Sequence, residues 1–205
     1  GEAKQKGISF IVGPQSSAEA AAVKPYADEN NMLVVSQGST AGSLSIAGDN
    51  LFRFCPADNV EGAAMGNTIY GDGIRALVTL SRDDAGNQGL QNATGSAFLG
   101  KGGFVSPLAS YETSTTDFAP VIAQIRTAIT NFRSSHATEA IAVYLASFDE
   151  CVDLFRAAAA DSVLASVRWY GGDGVALSAA LLNDAIAADF AIKTQYFAPA
   201  FGLPE

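Results

Sequence analysis

Short apolar runs alternate with helical patterns along almost the whole chain, and this order constrains the fold more than any other feature. The clearest runs are ISFIV (8–12), MLVVS (32–36), IRALVTL (74–80) and AIAVYLAS (140–147), and a helical pattern stands between successive runs. These runs are rich in β-branched residues and almost continuously apolar, which is typical of strands buried on both faces. The alternation predicts an α/β fold in which helices cover parallel sheets.

The remaining strands and helices fit the same order. Further strands are predicted over 51–55, 103–110, 166–171 and 192–201, and Pro107 indicates that the second of these is an edge strand or contains a bulge. The segment 83–100 is predicted as a loop followed by a helix. The other predicted helices cover 16–30, 58–70, 115–132, 149–160 and 178–190.

The most regular helical pattern lies over 115–132. Thr115 or Thr116 can cap this helix, and Asp117 suits the positive end of its dipole. The apolar side chains that fall on one helical face are those of Phe118, Val121, Ile122, Ile125, Ile129 and Phe132. The pattern therefore predicts a helix packed along one side on a sheet.

The acidic composition excludes several kinds of partner. The chain has 205 residues, a net charge of −9 and a pI near 4.5. Such a chain lacks the basic surface that binds a phosphate backbone, so we expect no nucleic-acid partner. The same argument disfavours an anionic membrane surface. No apolar run approaches the roughly 20 residues that a membrane span needs.

The sequence lacks the motifs of common enzymes and metal sites. GPQSS (13–17) is not the G-x-S-x-G motif of a nucleophile elbow, and His136 stands alone in a polar insertion. GDGIRA (71–76) precedes a strand rather than following one, and a P-loop lysine is missing. Cys55 and Cys151 lack zinc spacing and are interpreted as small buried residues, with one long-range disulfide as the alternative. We expect no enzyme, no cofactor and no metal.

Polar residues follow the predicted strands, at the corners where each strand leads into a helix or loop. Ligands of parallel α/β folds bind at the carboxyl ends of the strands. The five candidate corners are VGPQSS (12–17), SQGST (36–40), SRDDAGNQG (81–89), ASFDE (146–150) and GGDG (171–174).

Taken in order, these corners resemble the type I periplasmic binding proteins, and especially the leucine/isoleucine/valine-binding receptors of ABC transporters. The stretch from FIVGPQSS to VVSQGST (10–40) is similar to that family's strand–serine–helix–strand–loop unit. LFRFCPADNVEGAAM (51–65) resembles the crossing to the second lobe, and TTDFAPVIAQIR (115–126) a characteristic helix start. DDAGNQGL (83–90) and YGGDG (170–174) resemble cleft loops. The resemblance extends over nearly all of the chain.

The resemblance implies parallel-sheet sandwich lobes, one of them incomplete. Residues 1–52 correspond to part of lobe one, 53–197 to the main part of lobe two, and 198–205 to a return crossover. The opening GEAKQKGISFIVG (1–13) is interpreted as a helix end leading into a strand, so we expect a processed or truncated chain. An incomplete sheet has an unpaired edge, and we expect self-association there or poor order.

The resemblance also assigns ligand-binding roles in lobe one. Ser17 corresponds to the serine that meets a ligand carboxylate at a helix start, where free N–H groups favour anions. Ser16 and Glu19 also fit an ordinary capping box, and both roles are compatible. Gly38 and Thr40, with Ser39 between them, correspond to a loop that offers a carbonyl and a hydroxyl to the ligand. An ordinary flexible turn is the alternative for this loop.

In lobe two, Asp173 corresponds to the acid that faces the ligand ammonium group; a helix cap is the alternative. Asp84, with Asp83 as the alternative acid, belongs to the cleft loop. Ala85 stands where the family often has an aromatic residue, and Ser147, followed by Phe148, stands where it has a tyrosine. These departures disfavour a branched-chain amino acid and leave room for a larger or more polar ligand.

The implied function is that of an extracytoplasmic receptor of an ABC importer. Such a protein binds an amino acid or similar small ligand between two hinged lobes, and the membrane permease recognises the closed form. The implied location is periplasmic or extracellular, with the protein secreted or lipid-anchored. The alternative is the ligand-sensing domain of a receptor or regulator, because the same fold serves both roles.

Overall fold

The computed structural model describes residues 2–200 and contains two parallel sheets. The first sheet has the order β1 (Phe10–Val12), β2 (Leu33–Ser36), β3 (Leu51–Arg53). The strands of the second sheet are β4 (Ala76–Arg82), β5 (Phe104–Val105), β6 (Ala109–Tyr111), β7 (Ile141–Ala146) and β8 (Arg168–Gly171). Their order is β5–β4–β7–β8, and β6 pairs with the carboxyl end of β4. All these pairs are parallel, so the predicted fold class is confirmed.

Helices connect the strands in the predicted order. No helix among residues 2–200 is long and apolar enough to cross a membrane. The helices are α1 (Glu2–Gln5), α2 (Ser17–Glu29), α3 (Asp58–Gly71), α4 (Ala85–Gly100), α5 (Ala119–Phe132), α6 (Cys151–Ala159), α7 (Ala179–Asn183) and α8 (Ala185–Lys193).

The first sheet is covered by a helix on one face only, as far as the described residues extend. Ala20 and Ala27 of α2 belong to a small core with Val34 and Leu51 of the sheet. The strand register places a second set of apolar residues on the opposite face, and these are exposed: Phe10, Val12, Leu33 and Phe52. Parallel sheets are normally buried on both faces, so this open face is unusual.

The second sheet is covered on both faces and contains the main core. α3 and α4 pack on one face, and α5, α6 and α8 pack on the other. On the second face the ring of Phe155 lies 5.6 Å from Trp169, 5.1 Å from Phe190 and 5.0 Å from Tyr196, between ring centroids. This aromatic cluster holds α6 and α8 against β8, the strand that leads into the GGDG corner.

α3 and α4 approach each other closely. Gly66 faces Ala97, and a Cβ atom on Gly66 would lie 2.6 Å from the Cβ of Ala97, which is too short for two carbons. Gly62 makes a similar approach to Ala93 one turn earlier. The two glycines therefore allow α3 and α4 to pack closely against each other.

One strand prediction is wrong. The sequence predicts a strand over 192–201, but α8 continues through the first two residues of this segment. The N–H of Thr194 still donates to the carbonyl of Phe190, and Gln195 has a left-handed φ of 52°. Beyond that turn, within the described residues, pairing with the sheet is limited to an isolated bridge between Phe197 and Tyr170. Residue 201 lies outside the described part of the chain.

Other predicted segments are divided. The segment 103–110 forms the short strands β5 and β6 on either side of Pro107, as expected of an edge. The helix predicted over 178–190 is interrupted at Asp184, whose side chain accepts the Ala187 N–H at 2.9 Å and so begins α8.

The predicted threonine cap of α5 and the alternative of a disulfide are both absent from the described residues. Neither Thr115 nor Thr116 caps α5; Asp117 Oδ1 accepts the N–H of Ala119 at 2.9 Å instead. Both Cys55 and Cys151 are free thiols, so the alternative of a disulfide is not formed.

Candidate ligand-binding cleft

A cavity of about 680 Å³ lies between the two sheets, at the carboxyl ends of their strands. Its first wall comes from the start of α2 and the loop after β2. Its second wall comes from the start of α4 and from the segments after β7 and β8. The lining residues that the sequence predicted are Ser17, Gly38, Thr40, Asp84, Phe148 and Asp173. All five predicted corners therefore meet at one cavity, the corner 146–150 through Phe148.

The start of α2 is arranged to present polar groups to this cavity. Ser16 Oγ accepts the Glu19 N–H at 3.2 Å, which is an ordinary helix cap. Ser17 Oγ accepts the N–H of Ala41 at 3.0 Å and so also anchors the loop after β2. The two serines therefore have different roles. Ser16 caps the helix, whereas Ser17 lines the cavity and joins α2 to the loop after β2.

Within the loop after β2, Gly38 and Thr40 line the cavity but Ser39 does not. Ser39 is fully buried, and its hydroxyl donates to carbonyl groups of the preceding corner, with 3.1 Å to the oxygen of Gln15. Ser36 Oγ accepts the Ser39 N–H at 3.0 Å. Ser39 thus links two corners of the first sheet, and its buried hydroxyl does not face the cavity.

The start of α4 forms part of the opposite wall. Asp84 caps this helix, because its Oδ1 accepts the N–H groups of Gly86 and Asn87, each at 3.1 Å. Its other oxygen lies 3.7 Å from Nε of Arg82. Ala85 points instead into a neighbouring cavity of about 390 Å³, which Asp58 also lines.

The corner after β7 contributes one of its two predicted residues. Phe148 lines the cavity, and the guanidinium of Arg82 lies 5.2 Å from the centre of its ring. Ser147 does not line it: the residue is buried, and its Oγ has no hydrogen-bond partner among residues 2–200.

Asp173 lies in a 3-10 turn, Asp173–Val175, directly after β8, and its side chain lines the cavity. Its backbone N–H donates to Glu61 Oε1 at 3.0 Å, a contact from the start of α3. The alternative role as cap of the next helix is not observed. Ser178 caps α7 by accepting the N–H of Leu181 at 3.1 Å.

The carboxyl groups of Asp58, Glu61 and Asp173 interact with one another beside the cavity, although only Asp173 lines it, and burial makes each harder to ionise. Burial, followed by the charge of Asp173, raises the pKa of Glu61 to about 8. Burial is also the main cause that raises the pKa of Asp58 to about 6, and it raises the pKa of Asp173. Sequence reasoning missed Asp58 and Glu61, because two acids in the first turn of a helix match an ordinary helix start.

The cavity has opposite polarity on its two walls. The first wall offers the hydroxyl groups of Ser17 and Thr40 and the N-terminal end of α2, which attract a negative group. The exposed carboxylate of Glu19 also belongs to this wall. The second wall presents the carboxyl groups of Asp84 and Asp173. Its described lining includes no lysine, arginine or histidine. A small ligand with a negative and a positive end matches this arrangement.

A further cavity, of about 730 Å³, lies away from these residues, between α5 and the β5–β6 edge. Its lining is largely apolar and includes none of the residues predicted to bind a ligand.

The chain thus contains two parallel α/β units, and residues of both line one polar cavity. A profile of the periplasmic binding protein family matches residues 3–197, and the chain belongs to that family. Members of this family are extracytoplasmic binding proteins and not enzymes, as the sequence predicted.

Relatives of known structure or sequence agree with this assignment. An uncharacterised protein of Methanocaldococcus jannaschii is 26% identical over 202 residues, which is 96% of this chain and 47% of that protein. The leucine-binding protein LivK of Thermotoga maritima has a TM-score of 0.68 at 23% identity, over 83% of this chain and 46% of LivK.

A solute-binding protein of R. palustris, solved in complex with benzoate, has a TM-score of 0.70 at 16% identity, over 95% of this chain and 56% of its own. The chain thus spans about half the length of the relatives that it matches. At these identities the two solved structures support the fold and leave the ligand open.

Proposed function

We propose that this chain forms the ligand-binding cleft of an extracytoplasmic receptor of an ABC importer, and that the cleft binds an amino acid or a similar small polar ligand. The observation that carries this proposal is the polarity of the 680 Å³ cavity, with hydroxyl and helix N–H groups on one wall and carboxyl groups on the other. The leucine-binding relative is consistent with it.

Each end of an amino acid has a matching group in the cleft. A ligand carboxylate fits at the start of α2, where Ser17 and Thr40 supply hydroxyl groups and the helix supplies unpaired N–H groups. A ligand ammonium fits beside Asp173, since a buried cation needs a charged partner. Gly38 adds a backbone carbonyl, and Phe148 offers an apolar surface to the side chain of the ligand.

The proposed mechanism is closure of the cleft. The sheets are joined by the segment between β3 and α3, and we propose lobes at 1–52 and 53–197 with a return crossover at 198–205. Binding across the gap stabilises the closed arrangement, which a membrane permease then recognises. This role implies a secreted or lipid-anchored protein in the periplasm or at the cell surface.

Ligand binding by the cleft is tested by calorimetry and thermal unfolding with L-leucine, benzoate and glucose as probes. Neither Ala85 nor Ser147 lines the cavity, so the departures at these two positions do not bear on the ligand. We expect L-leucine to bind and to raise the unfolding temperature, since a ligand at about 100 times its Kd adds about 2.7 kcal/mol of stability. Thr40→Val removes a cleft hydroxyl and should weaken binding about fivefold. Thr130→Val, on the exposed side of α5, is the control. If none of the probes binds, the proposal is wrong.

Self-association through the incomplete first lobe stays a prediction, and we propose that the open face of its sheet takes part. Four exposed apolar residues on one sheet face favour contact with the same face of a second copy, because association removes them from water. Light scattering across a concentration series should show dimers, and Phe52→Ser should weaken their association about tenfold. Phe104→Ser on β5 is the control, as Phe104 is similarly exposed (59% against 55%). Equal effects of the two changes would contradict a specific role of this face.

A further inference from the structure

The loop that presents Thr40 to the cleft is held by an arginine of the neighbouring strand. Arg53 is the last residue of β3, and its Nη1 donates to the carbonyl oxygens of Ser39 at 3.0 Å and Ala41 at 2.7 Å. Ser39 and Ala41 stand on either side of Thr40 in the chain. The guanidinium therefore spans the residue that lines the cavity and fixes the backbone on both sides of it.

Arg53 uses its donors for this loop and not for an ion pair. It is partly buried, and no salt bridge involves it among residues 2–200. The Ser39 carbonyl has no other partner within the described residues, whereas the Ala41 carbonyl also accepts the Leu44 N–H at 3.1 Å. Hydrogen bonds from a charged donor are about twice as strong as those between neutral groups. Removal of the guanidinium would therefore leave the Ser39 carbonyl unpaired and loosen the loop.

The same loop is also bonded to the far end of the segment that joins the two sheets. The backbone N–H of Asp58, the first residue of α3, donates to the carbonyl of Thr40 at 3.0 Å. Arg53 and Asp58 stand immediately before and after the joining segment 54–57. Both ends of this segment thus contact the 39–41 loop, so the position of Thr40 depends on the geometry of the joining segment.

Two further interactions hold this arrangement together. Ser17 Oγ accepts the Ala41 N–H at 3.0 Å, which fixes the loop from the side of α2. Burial is the main cause that raises the pKa of Asp58 to about 6, and the nearby charge of Arg53 opposes this rise, so the two side chains attract each other. The loop is therefore anchored to α2, to β3 and to the start of α3.

We propose that Arg53 is a positioning residue of the cleft, which holds the 39–41 loop so that Thr40 faces the ligand and links this loop to the joining segment 54–57. Arg53 does not line the cavity, so it acts through Thr40 and not by touching the ligand. The inference rests on the proposed binding of small ligands in the cleft. It adds the residue that connects the ligand-facing loop to the segment about which the cleft closes.

A double-mutant cycle, measured by calorimetry with L-leucine as the probe, tests whether Arg53 acts through Thr40. Methionine is also a long side chain but has no N–H donor, and Arg53→Met should weaken binding about fivefold, as Thr40→Val does. Both changes remove the same contact with the ligand, so the double variant should also be weakened about fivefold, whereas independent effects would multiply to about 25-fold. Arg53→Lys keeps a charged donor near the two carbonyls and should restore most of the affinity.

Arg75→Met is the matched control. Arg75 Nη1 also donates to two backbone carbonyls, those of Tyr70 at 2.9 Å and Ile74 at 2.7 Å. Arg75 precedes β4, at the amino end of the second sheet, and is not part of the cleft lining. This variant loses the same charge and the same kind of contact, and it should bind L-leucine with unchanged affinity. Circular dichroism of each variant checks that it is folded.

Hydrogen exchange of the unliganded chain measures the anchoring of the loop without a ligand. The reporters are the N–H of Ala41, which is bonded to Ser17, and the N–H of Asp58, which is bonded to Thr40. Arg53→Met should lower the protection of both N–H groups about tenfold and leave the protection of the amides of β7 unchanged. Arg75→Met should leave both reporters unchanged.

Three outcomes overturn the inference while small-ligand binding in the cleft still stands. Folded Arg53→Met binds as tightly as the unaltered chain, or the double variant is weakened by the product of the two single effects, or the protection of Ala41 and Asp58 does not change in Arg53→Met. If L-leucine does not bind to the unaltered chain, the cycle is measured with benzoate or glucose. If none of the three probes binds, the proposed function fails and the inference fails with it.

Discussion

Replacing Phe155 by alanine is expected to lower the free energy of unfolding by about 3–5 kcal/mol. Phe155 is fully buried on α6, and its ring contacts those of Trp169, Phe190 and Tyr196. Alanine loses the buried apolar surface, leaves a cavity and removes three ring–ring contacts. Because Trp169 belongs to β8, the same change loosens the strand that positions Asp173. Urea denaturation followed by circular dichroism measures the effect.

The matched control is Phe54→Ala, which removes the same side chain at a position that is 81% exposed. A surface change of this kind should alter the free energy of unfolding by no more than about 0.5 kcal/mol. Similar losses for the two variants would show that the second sheet and its helices do not depend on the aromatic cluster for their stability.

The order of elements could be predicted from the sequence because the burial of many elements is visible in their own residue pattern. All six residues of β7 are buried, and so are the first six of β4, which explains their continuous apolar runs. α5 shows the predicted stripe because it has one buried side: Val121, Ile122, Ile125 and Ile129 are all buried. In each of these elements, the positions of the apolar residues in the sequence match the positions that are buried in the structure.

The end of the chain could not be predicted in this way. The stretch from Ile192 to Phe197 has apolar and aromatic residues typical of a strand, but its conformation is decided by distant contacts. Tyr196 packs against Phe155, and Phe197 pairs with Tyr170 only at an isolated bridge. A local pattern records that these residues are apolar without recording their contacts: Ile192 and Phe197 are in fact exposed, at 75% and 43%.

The candidate site was predictable at the level of corners and less so at the level of side chains. The rule that ligands bind at the carboxyl ends of parallel strands singled out Ser17, Thr40 and Asp173, and all three line one cavity. The rule did not distinguish Ser39 from the cavity-lining residues beside it, although the Ser39 hydroxyl is already hydrogen-bonded to the carbonyl of Gln15. It also missed Glu61, since the burial of that acid depends on its contact with a residue 112 positions away.

Asp173→Asn is expected to weaken the binding of L-leucine by at least about tenfold at pH 7, which is about 1.4 kcal/mol. Asparagine has nearly the same shape, and its backbone N–H can still donate to Glu61. What is lost is the negative charge that faces the cavity. An ammonium enclosed there would have to give up water without a full charged partner, which is costly.

The control for this change is Asp189→Asn, an exposed carboxylate on α8 that lies outside the cleft lining. It makes the same change in net charge, so a long-range effect of charge on ligand binding would appear in both variants. Calorimetry at two salt concentrations separates the local contact from the overall field, because screening weakens the latter. Unchanged affinity of Asp173→Asn for L-leucine would remove Asp173 from the ammonium site. A loss confined to Asp173→Asn and insensitive to salt would mean that the charge acts at short range, inside the closed cleft.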